Sequence, residues 1–306
     1  MIPEFTQVKH IGVYRFIGSV LKLKSKLNFL IPQYVRSNKP LVINFNESNK
    51  LFIQPSAQNL WTINELIFEG LSYIPEHGLL KKIMKNLPPG YTYIDVGGNL
   101  GTTLCAFYNK QATIIVFEPM PHLYACLQQT VAINNWKNVE LIQKAVGKTV
   151  GEVIMHKNDN SSISQSTEVT DELIKINITY LDNFADQITR CDLIKIDVEG
   201  FEWMVLQGAK KIIDLFKPKL LIELHPQFIK HYGDNISEIL DFLEDKNYLI
   251  SYYNFLPELR VKSSIARLVS RYGSFKNAQL NSRAAFMDDL NILPHVTSYH
   301  IYCEPA

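Results

Sequence analysis

Asp95, Glu118, Lys144, Asp197, Glu199 and His225 each stand at or just past the carboxyl end of a short apolar run. Carboxylates, an amine and an imidazole brought to one place can bind polar ligand groups and move protons. Asp197, Glu199 and His225 are the candidates for a base that takes a proton from a hydroxyl nucleophile. Histidine has the proton affinity best matched to neutral pH, and Glu223 could orient it or pair with a lysine. A trio of this kind could also hold Mg²⁺ or Ca²⁺. No histidine or carboxylate pairing has diagnostic ligand spacing, however, and no metal site is assigned. Each residue also has a structural alternative as an ion pair or helix cap. Glu199, just before Gly200, could be no more than a charge at a helix N-terminus.

A second stretch, Tyr91 to Thr103, reads as a buried strand running into a glycine turn that opens a helix. Gly97, Gly98 and Gly101 allow a tight turn and a close backbone approach to a ligand, or they make a turn and nothing more. Glu118 follows one strand later, where a carboxylate can accept both hydroxyl hydrogen bonds of a ribose or simply precede Pro119 at the surface. A dinucleotide fingerprint needs G-x-G-x-x-G so that a pyrophosphate can rest on the helix terminus. Here Asn99 replaces the middle glycine and Asp95 lies just ahead. A carboxylate there repels pyrophosphate and favours an ammonium or sulfonium group, which points away from a nicotinamide dinucleotide and toward S-adenosylmethionine.

The elements that must position these groups alternate between strand and helix, which argues for a mainly parallel sheet covered on both faces. The strands are read at 91–96, 113–117, 139–146, 192–198, 219–224, 248–255 and 298–303. Helices are read at 122–134, 201–215 and 236–246, with an inserted ribbon at 152–156 and 176–181. In such sheets ligands bind outside the carboxyl ends of the strands. Pro88-Pro89-Gly90 separates an N-terminal extension, 1–88, from the domain at 89–306. The extension carries short strands at 41–45 and 51–54 and a helix at 61–73. Residues 1–40 mix Lys9, Arg15, Lys22, Lys24, Lys26, Arg36 and Lys39 with apolar residues. That mixture suits a basic amphipathic helix packed on the core, or docked on a partner or at the surface of a membrane.

The 306 residues are 46% hydrophobic and 20% charged, with a net charge of +1. That balance is ordinary for a globular protein and gives no basic excess for nucleic-acid binding. Cys105, Cys126, Cys191 and Cys303 have no zinc-ligand spacing and read as reduced, buried thiols. No apolar run is long enough to span a bilayer and no cleavable leader is apparent, so a cytoplasmic location is expected.

As an ordered set the motifs resemble the FkbM family of S-adenosylmethionine-dependent methyltransferases. The carrying residues are Ile94-Asp-Val-Gly-Gly-Asn-Leu-Gly101, Phe117-Glu-Pro-Met-Pro121, Thr179-Tyr-Leu-Asp182, Asp192-Leu-Ile-Lys-Ile-Asp-Val-Glu-Gly200, Val205-Leu-Gln-Gly208 and Glu223-Leu-His225. The resemblance implies a Rossmann-like seven-stranded methyltransferase sheet, mainly parallel, with the last strand antiparallel beside the fifth. It also implies O-methylation, often of a sugar or polyketide hydroxyl, so the expected partner is a small-molecule or glycan acceptor and the expected target a hydroxyl of a sugar, glycolipid or polysaccharide. Asp95, Gly97, Asn99 and Gly101 would hold the methionine part of the cofactor, Glu118 the ribose, and Lys144 and Ala145 would lie near the adenine. Ser161 and Ser162 resemble the serine the family carries before the fourth strand, with Ser162 a cofactor-binding candidate, or they belong to a solvent-exposed loop. Gly98 replaces the usual alanine, a change expected to be harmless. The stretch 256–294 matches no family pattern and reads as an insertion. The competing readings are a catalytically inactive scaffold docked through its basic N-terminus and, disfavoured by Asp95 and Asn99, a nicotinamide oxidoreductase.

Overall fold

The computed structural model describes residues 6–8, 39–44, 49–55, 76–156, 173–255, 279–292 and 298–306. The helix expected at 61–73, most of the basic segment 1–40, Ser161, Ser162 and most of the stretch 256–294 lie outside them.

Strands β1 (Thr6–Val8), β2 (Leu41–Asn44) and β3 (Lys50–Ile53) form a small sheet. Thr6–Val8 pairs in parallel with β2, so this part of the basic segment is strand rather than helix. Helix α1 (His77–Lys85) follows, burying Leu79, Leu80 and Ile83 along one face. Sequence reading did not place this helix, although the spacing of those leucines and the lysines in its last turn fit one.

Next come β4 (Thr92–Val96), α2 (Thr102–Phe107), β5 (Thr113–Phe117), α3 (Pro121–Asn134) and β6 (Val139–Ile142). Strands β7 (Ala145–Val146), β8 (Gly151–His156) and β9 (Leu173–Thr179) make a separate three-stranded sheet. The third core strand therefore stops at Ile142, and the expected ribbon stands apart from the central sheet. The chain continues through β10 (Leu193–Ile196), α4 (Glu202–Gln207), α5 (Lys210–Phe216), β11 (Lys219–Leu224), α6 (Pro226–His231), α7 (Ile236–Asp245) and β12 (Tyr248–Tyr253). It ends with β13 (Gln279–Leu280), α8 (Arg283–Ile292) and β14 (Tyr299–Pro305).

The central sheet runs β13-β12-β14-β11-β10-β4-β5-β6. Its pairings are parallel from β6 to β11, and β14 inserts antiparallel between β11 and β12. The expected seven strands are present, with the two-residue β13 added at one edge. Alternation along each strand divides the core in two. Tyr93, Ile114, Val116, Leu193 and Leu221 join the small sheet and α1 on one face. Ile94, Val96, Ile115, Phe117, Ile194, Ile196, Leu220, Ile222 and Leu224 pack with Ile212, Ile239 and Leu243 on the other. All four cysteines are buried and unbridged. Among the described residues, no helix is long and apolar enough to cross a membrane.

The single helix expected over 201–215 is two helices broken at Gly208-Ala209. Glycine at the break allows a close approach: a methyl on Gly208 would sit 2.0 Å from the Gly147 carbonyl oxygen. Gly208→Ala is therefore expected to cost about 1–3 kcal/mol through overpacking. A Cβ at Gly151 would lie 3.9 Å from Ile178, an ordinary contact, and Gly151→Ala should move stability by less than about 0.5 kcal/mol. Urea midpoints of the two variants check this pair.

Candidate active site

The turn after β4 is fixed by its own backbone. The Gly97 and Gly98 N–H groups both donate to the Phe117 carbonyl, at 3.0 and 2.9 Å. Gly97 has φ +95°, and a Cβ there would lie 1.9 Å from the Asp197 carbonyl oxygen. Glycine is thus required where β4 and β10 release their chains side by side. At Gly98 a methyl would sit 2.3 Å from Val116 Cγ1, so a larger residue there needs that side chain to move. Gly101, with φ +84°, closes the turn against Leu127 and does not line the cleft.

Asn99 follows with φ 47°. Its backbone N–H donates to Glu118 Oε2 at 2.7 Å, and Met120 N–H donates to Glu118 Oε1 at 2.9 Å. These bonds aim the Glu118 carboxylate and leave each oxygen another lone pair for a ligand hydroxyl. Burial pushes the Glu118 carboxyl up to about 7 against the pull of those two amides. One cleft is lined by Gly97, Asn99, Glu118, Lys144 and Ala145 together with Asp197 and Glu199. Leu123, Met155 and Phe201 supply apolar wall.

Asp95 lies behind this cleft, 1% exposed, and among the described residues neither of its carboxylate oxygens has a hydrogen-bond partner. Burial raises its carboxyl to about 6, opposed by Lys195. Lys195 is in register with Asp95 across the β4–β10 pairing, and it donates to Asp197 Oδ2 at 2.9 Å. Burial alone would strip the proton from this lysine. Asp197, Asp95, Glu76 and Glu223 together hold its affinity above the ordinary value instead. Burial raises the Asp197 carboxyl, and Lys195 opposes the rise.

His225 is enclosed by carboxylates. Its Nδ1 lies 2.8 Å from Glu202 Oε1, and its Nε2 lies 3.4 Å from Glu199 Oε2 and 3.8 Å from Glu223 Oε1. Burial favours the neutral ring, yet the Glu202 hydrogen bond and the Glu202, Glu199 and Glu223 charges lift it to about 10. It is therefore an imidazolium at neutral pH rather than a ready base. Glu199 lines the cleft with φ 53°, and burial raises its carboxyl to about 7 despite His225 nearby. A second histidine, His300, joins the set from β14. Its Nε2 stands 3.3 Å from Glu223 Oε2 and 3.5 Å from Glu76 Oε2. Burial would lower its affinity, but Glu223 and Glu76 lift it to about 10. Sequence reading missed Lys195, Glu202, His300 and Glu76 as members of the site. The strand alternation that placed Asp95 could have placed Lys195, since 195 and 197 share a face.

Residues 95–250, just over half of the chain, match the methyltransferase FkbM domain. The chain belongs to that family. Among named relatives of this FkbM-domain protein, Methyltransferase sdnD of Sordaria araneosa is 28% identical, covering 40% of this chain and 62% of that protein. Methyltransferase 1 of Beauveria bassiana (strain ARSEF 2860) is 25% identical, covering 38% of this chain and 57% of the relative. The chain thus spans about three fifths of the length of the relatives it matches. The crystal structure of methyltransferase FkbM from Methylobacillus flagellatus KT is similar at 16% identity and a TM-score of 0.39, covering 74% of this chain and 56% of that chain.

The charge state of the FkbM-domain site has a pH consequence. The Asp95, Glu118 and Glu199 carboxyls bind protons more tightly in the folded chain than their ordinary values. The unfolded chain releases those protons first as pH rises, so these groups lower stability between about pH 4.5 and 7. His225 and His300, raised above 6.5, give stability that is complete below that pH and lost toward about 10. Glu76 and Glu223 are lowered, and they withdraw their stability only as pH falls below 4.5. The ligand-free protein is therefore expected to be more stable at pH 5 than at pH 8, by at least about 1 kcal/mol. Urea midpoints across that range measure it.

Proposed function

We propose that this protein is an S-adenosylmethionine-dependent O-methyltransferase whose acceptor is a hydroxyl of a sugar, glycolipid or polysaccharide. The observation that carries the reading is the single cleft that joins the Glu118 end to the Asp197–Glu199 end. At the first end, the residues fit the cofactor. Gly97 and Asn99 line the cleft, the buried Asp95 carboxylate has no hydrogen-bond partner among the described residues, and Glu118 keeps free lone pairs between two amide anchors. Asp95, Gly97 and Asn99 would hold the methionine portion and Glu118 the ribose hydroxyls, with Lys144 and Ala145 beside the adenine. When bound, the cofactor supplies a methyl group on a sulfonium, already activated for transfer.

The chain's own task is to hold an oxygen in line and receive its proton. Glu199 suits the second role: it lines the cleft, and its carboxyl is poised at about 7. At neutral pH it is part ionised and strong enough to accept a hydroxyl proton as the oxygen gains its methyl group. The protonated His225 and Asp197, held by Lys195, orient rather than abstract. Phe201 lines the cleft beside Glu199 and offers a flat apolar wall next to hydrogen-bond acceptors, the pairing a sugar ring with its hydroxyls needs.

Isothermal calorimetry with S-adenosylhomocysteine tests the first end. Wild type should bind, Glu118→Ala should bind about 10–100-fold more weakly through loss of charge-assisted hydrogen bonds, and equal affinity would overturn the site. Incubation of glycans and glycolipids with isotope-labelled S-adenosylmethionine, followed by mass spectrometry, tests the second. Glu199→Gln should lose about a hundredfold or more in turnover with cofactor affinity unchanged. Turnover equal to wild type would remove Glu199 from the role of base.

A further inference from the structure

Asp197, Glu223 and His225 each point one ligand atom into a common space, and those atoms all lie within 4.8 Å of one another. Cis ligands on a hard divalent cation lie about 3 Å apart and trans ligands somewhat over 4 Å apart, given metal–oxygen distances of about 2.0–2.6 Å. A small inward movement of three side chains would close such a shell on one side. We propose that these three residues bind a hard divalent cation, of the Mg²⁺ or Mn²⁺ class, beside the acceptor end of the cleft.

Independent features of the surroundings point to a ligand here. His225 is 4% exposed, and its Nδ1 is engaged by the fully buried Glu202. A carboxylate on one ring nitrogen is the arrangement that fixes a metal-binding histidine and turns the other nitrogen toward the ion. That other nitrogen, Nε2, faces Glu199 at 3.4 Å and Glu223 at 3.8 Å, both longer than a good hydrogen bond. Among the described residues, the same network of charges holds buried polar atoms without hydrogen-bond partners: both Asp95 oxygens, Glu202 Oε2 and His300 Nδ1. Buried orphans of this kind call for a missing partner. Around Lys195, His225 and His300, the carboxylates of Asp95, Asp197, Glu76, Glu199, Glu202 and Glu223 are in excess. Lys195 occupies only Oδ2 of Asp197 and leaves Oδ1 for a cation.

The donor set selects the metal class. The two carboxylates favour a hard cation, the imidazole favours Mn²⁺ over Mg²⁺ within that class, and ligands on one side alone leave positions for water or substrate oxygens. On binding, the ring releases its Nε2 proton to solvent. In the methyl-transfer reading, on which this step rests, a hydroxyl on the open side would be more acidic and would pass its proton to Glu199. An acceptor with two neighbouring hydroxyls would then be favoured, because it can take two of the open positions.

Metal binding is measured on the full chain without cofactor or acceptor, so its outcome is separate from that of methyl transfer. Mn²⁺ is titrated after removal of metals by chelation, and free Mn²⁺ is followed by electron paramagnetic resonance. One saturable site is expected. Asp197→Asn and Glu223→Gln should each weaken it at least about tenfold, and Glu202→Gln about 10–100-fold. Asp186→Asn, at an exposed ion pair away from the trio, should leave it unchanged. Pulsed measurements on wild type should show hyperfine modulation from a directly bound imidazole nitrogen, a readout that needs no variant to fold. Absence of saturable binding, binding without the nitrogen signal, or equal affinity in folded Asp197→Asn and Glu223→Gln would each overturn the site. Methyl transfer that proceeds at full rate in chelator would overturn the coupling to the acceptor and leave the proposed function standing.

Discussion

A buried lysine sets the terms for the candidate site. Lys195 lies in the middle of β10, 3% exposed, in a strand otherwise built from leucine and isoleucine. Removing an ammonium from water costs several kcal/mol, and the cost is recovered only with carboxylates close by. The parallel pairing with β4 supplies Asp95 directly across, and strand alternation puts Asp197 on the same face two residues on. The charge on one side chain thereby ties the glycine turn after β4 to the acidic segment after β10. Neither carboxylate can be lost without leaving the ammonium underpaired. Asp95 is as much a structural counter-ion as a ligand group.

The two faces of the sheet do different work. One face is apolar along its length and packs against α4, α5 and α7, giving a rigid floor. The other is apolar toward its amino end and becomes charged toward its carboxyl end, where Asp95, Lys195, Glu223 and His300 sit on neighbouring strands. The backbones that carry these charges are held in register by the sheet itself, so only side-chain movement can change their spacing. Packed interiors transmit such constraints because they have little free volume. The excess of carboxylates costs stability in the ligand-free chain, and that cost is what a cationic ligand would relieve. Strain of this electrostatic kind clusters at functional sites, and structural ion-pair networks share it.

The strand ends were legible in the sequence because parallel strands buried on both faces read as continuous apolar runs, and a charge at the end of such a run stands out. Asp95, Glu118, Asp197 and Glu199 were found that way. The antiparallel position of β14 followed from the family resemblance, since nothing in residues 298–303 alone sets its neighbours. Glu76 and His300 were not legible. They meet only because α1 covers the sheet where β14 pairs with β11, a contact between opposite ends of the chain. The state of His225 was hidden for a related reason. Sequence shows a histidine after an apolar strand, whereas its proton affinity depends on Glu202, the first residue of another helix. The need for glycine at 208 comes from its close approach to the Gly147 backbone, which helical periodicity does not encode.

The same geometry bears on how the family-matched region relates to the rest. Residues 95–250 contain the glycine turn, Glu118 and the acidic segment, but not Glu76 or His300. Yet His300, followed by His225 and Lys195, holds the Glu223 carboxyl well below its ordinary range, and Glu76 shares that histidine. Without β14, Glu223 would lose its nearest cation and lie beside Glu199 and Asp197 with one fewer charge to balance them. Without α1, His300 would keep a single carboxylate partner in a site where burial favours loss of its proton. Electrostatic completeness of the site therefore requires elements from both sides of the matched region, and the segments flanking it are part of how the cleft is tuned.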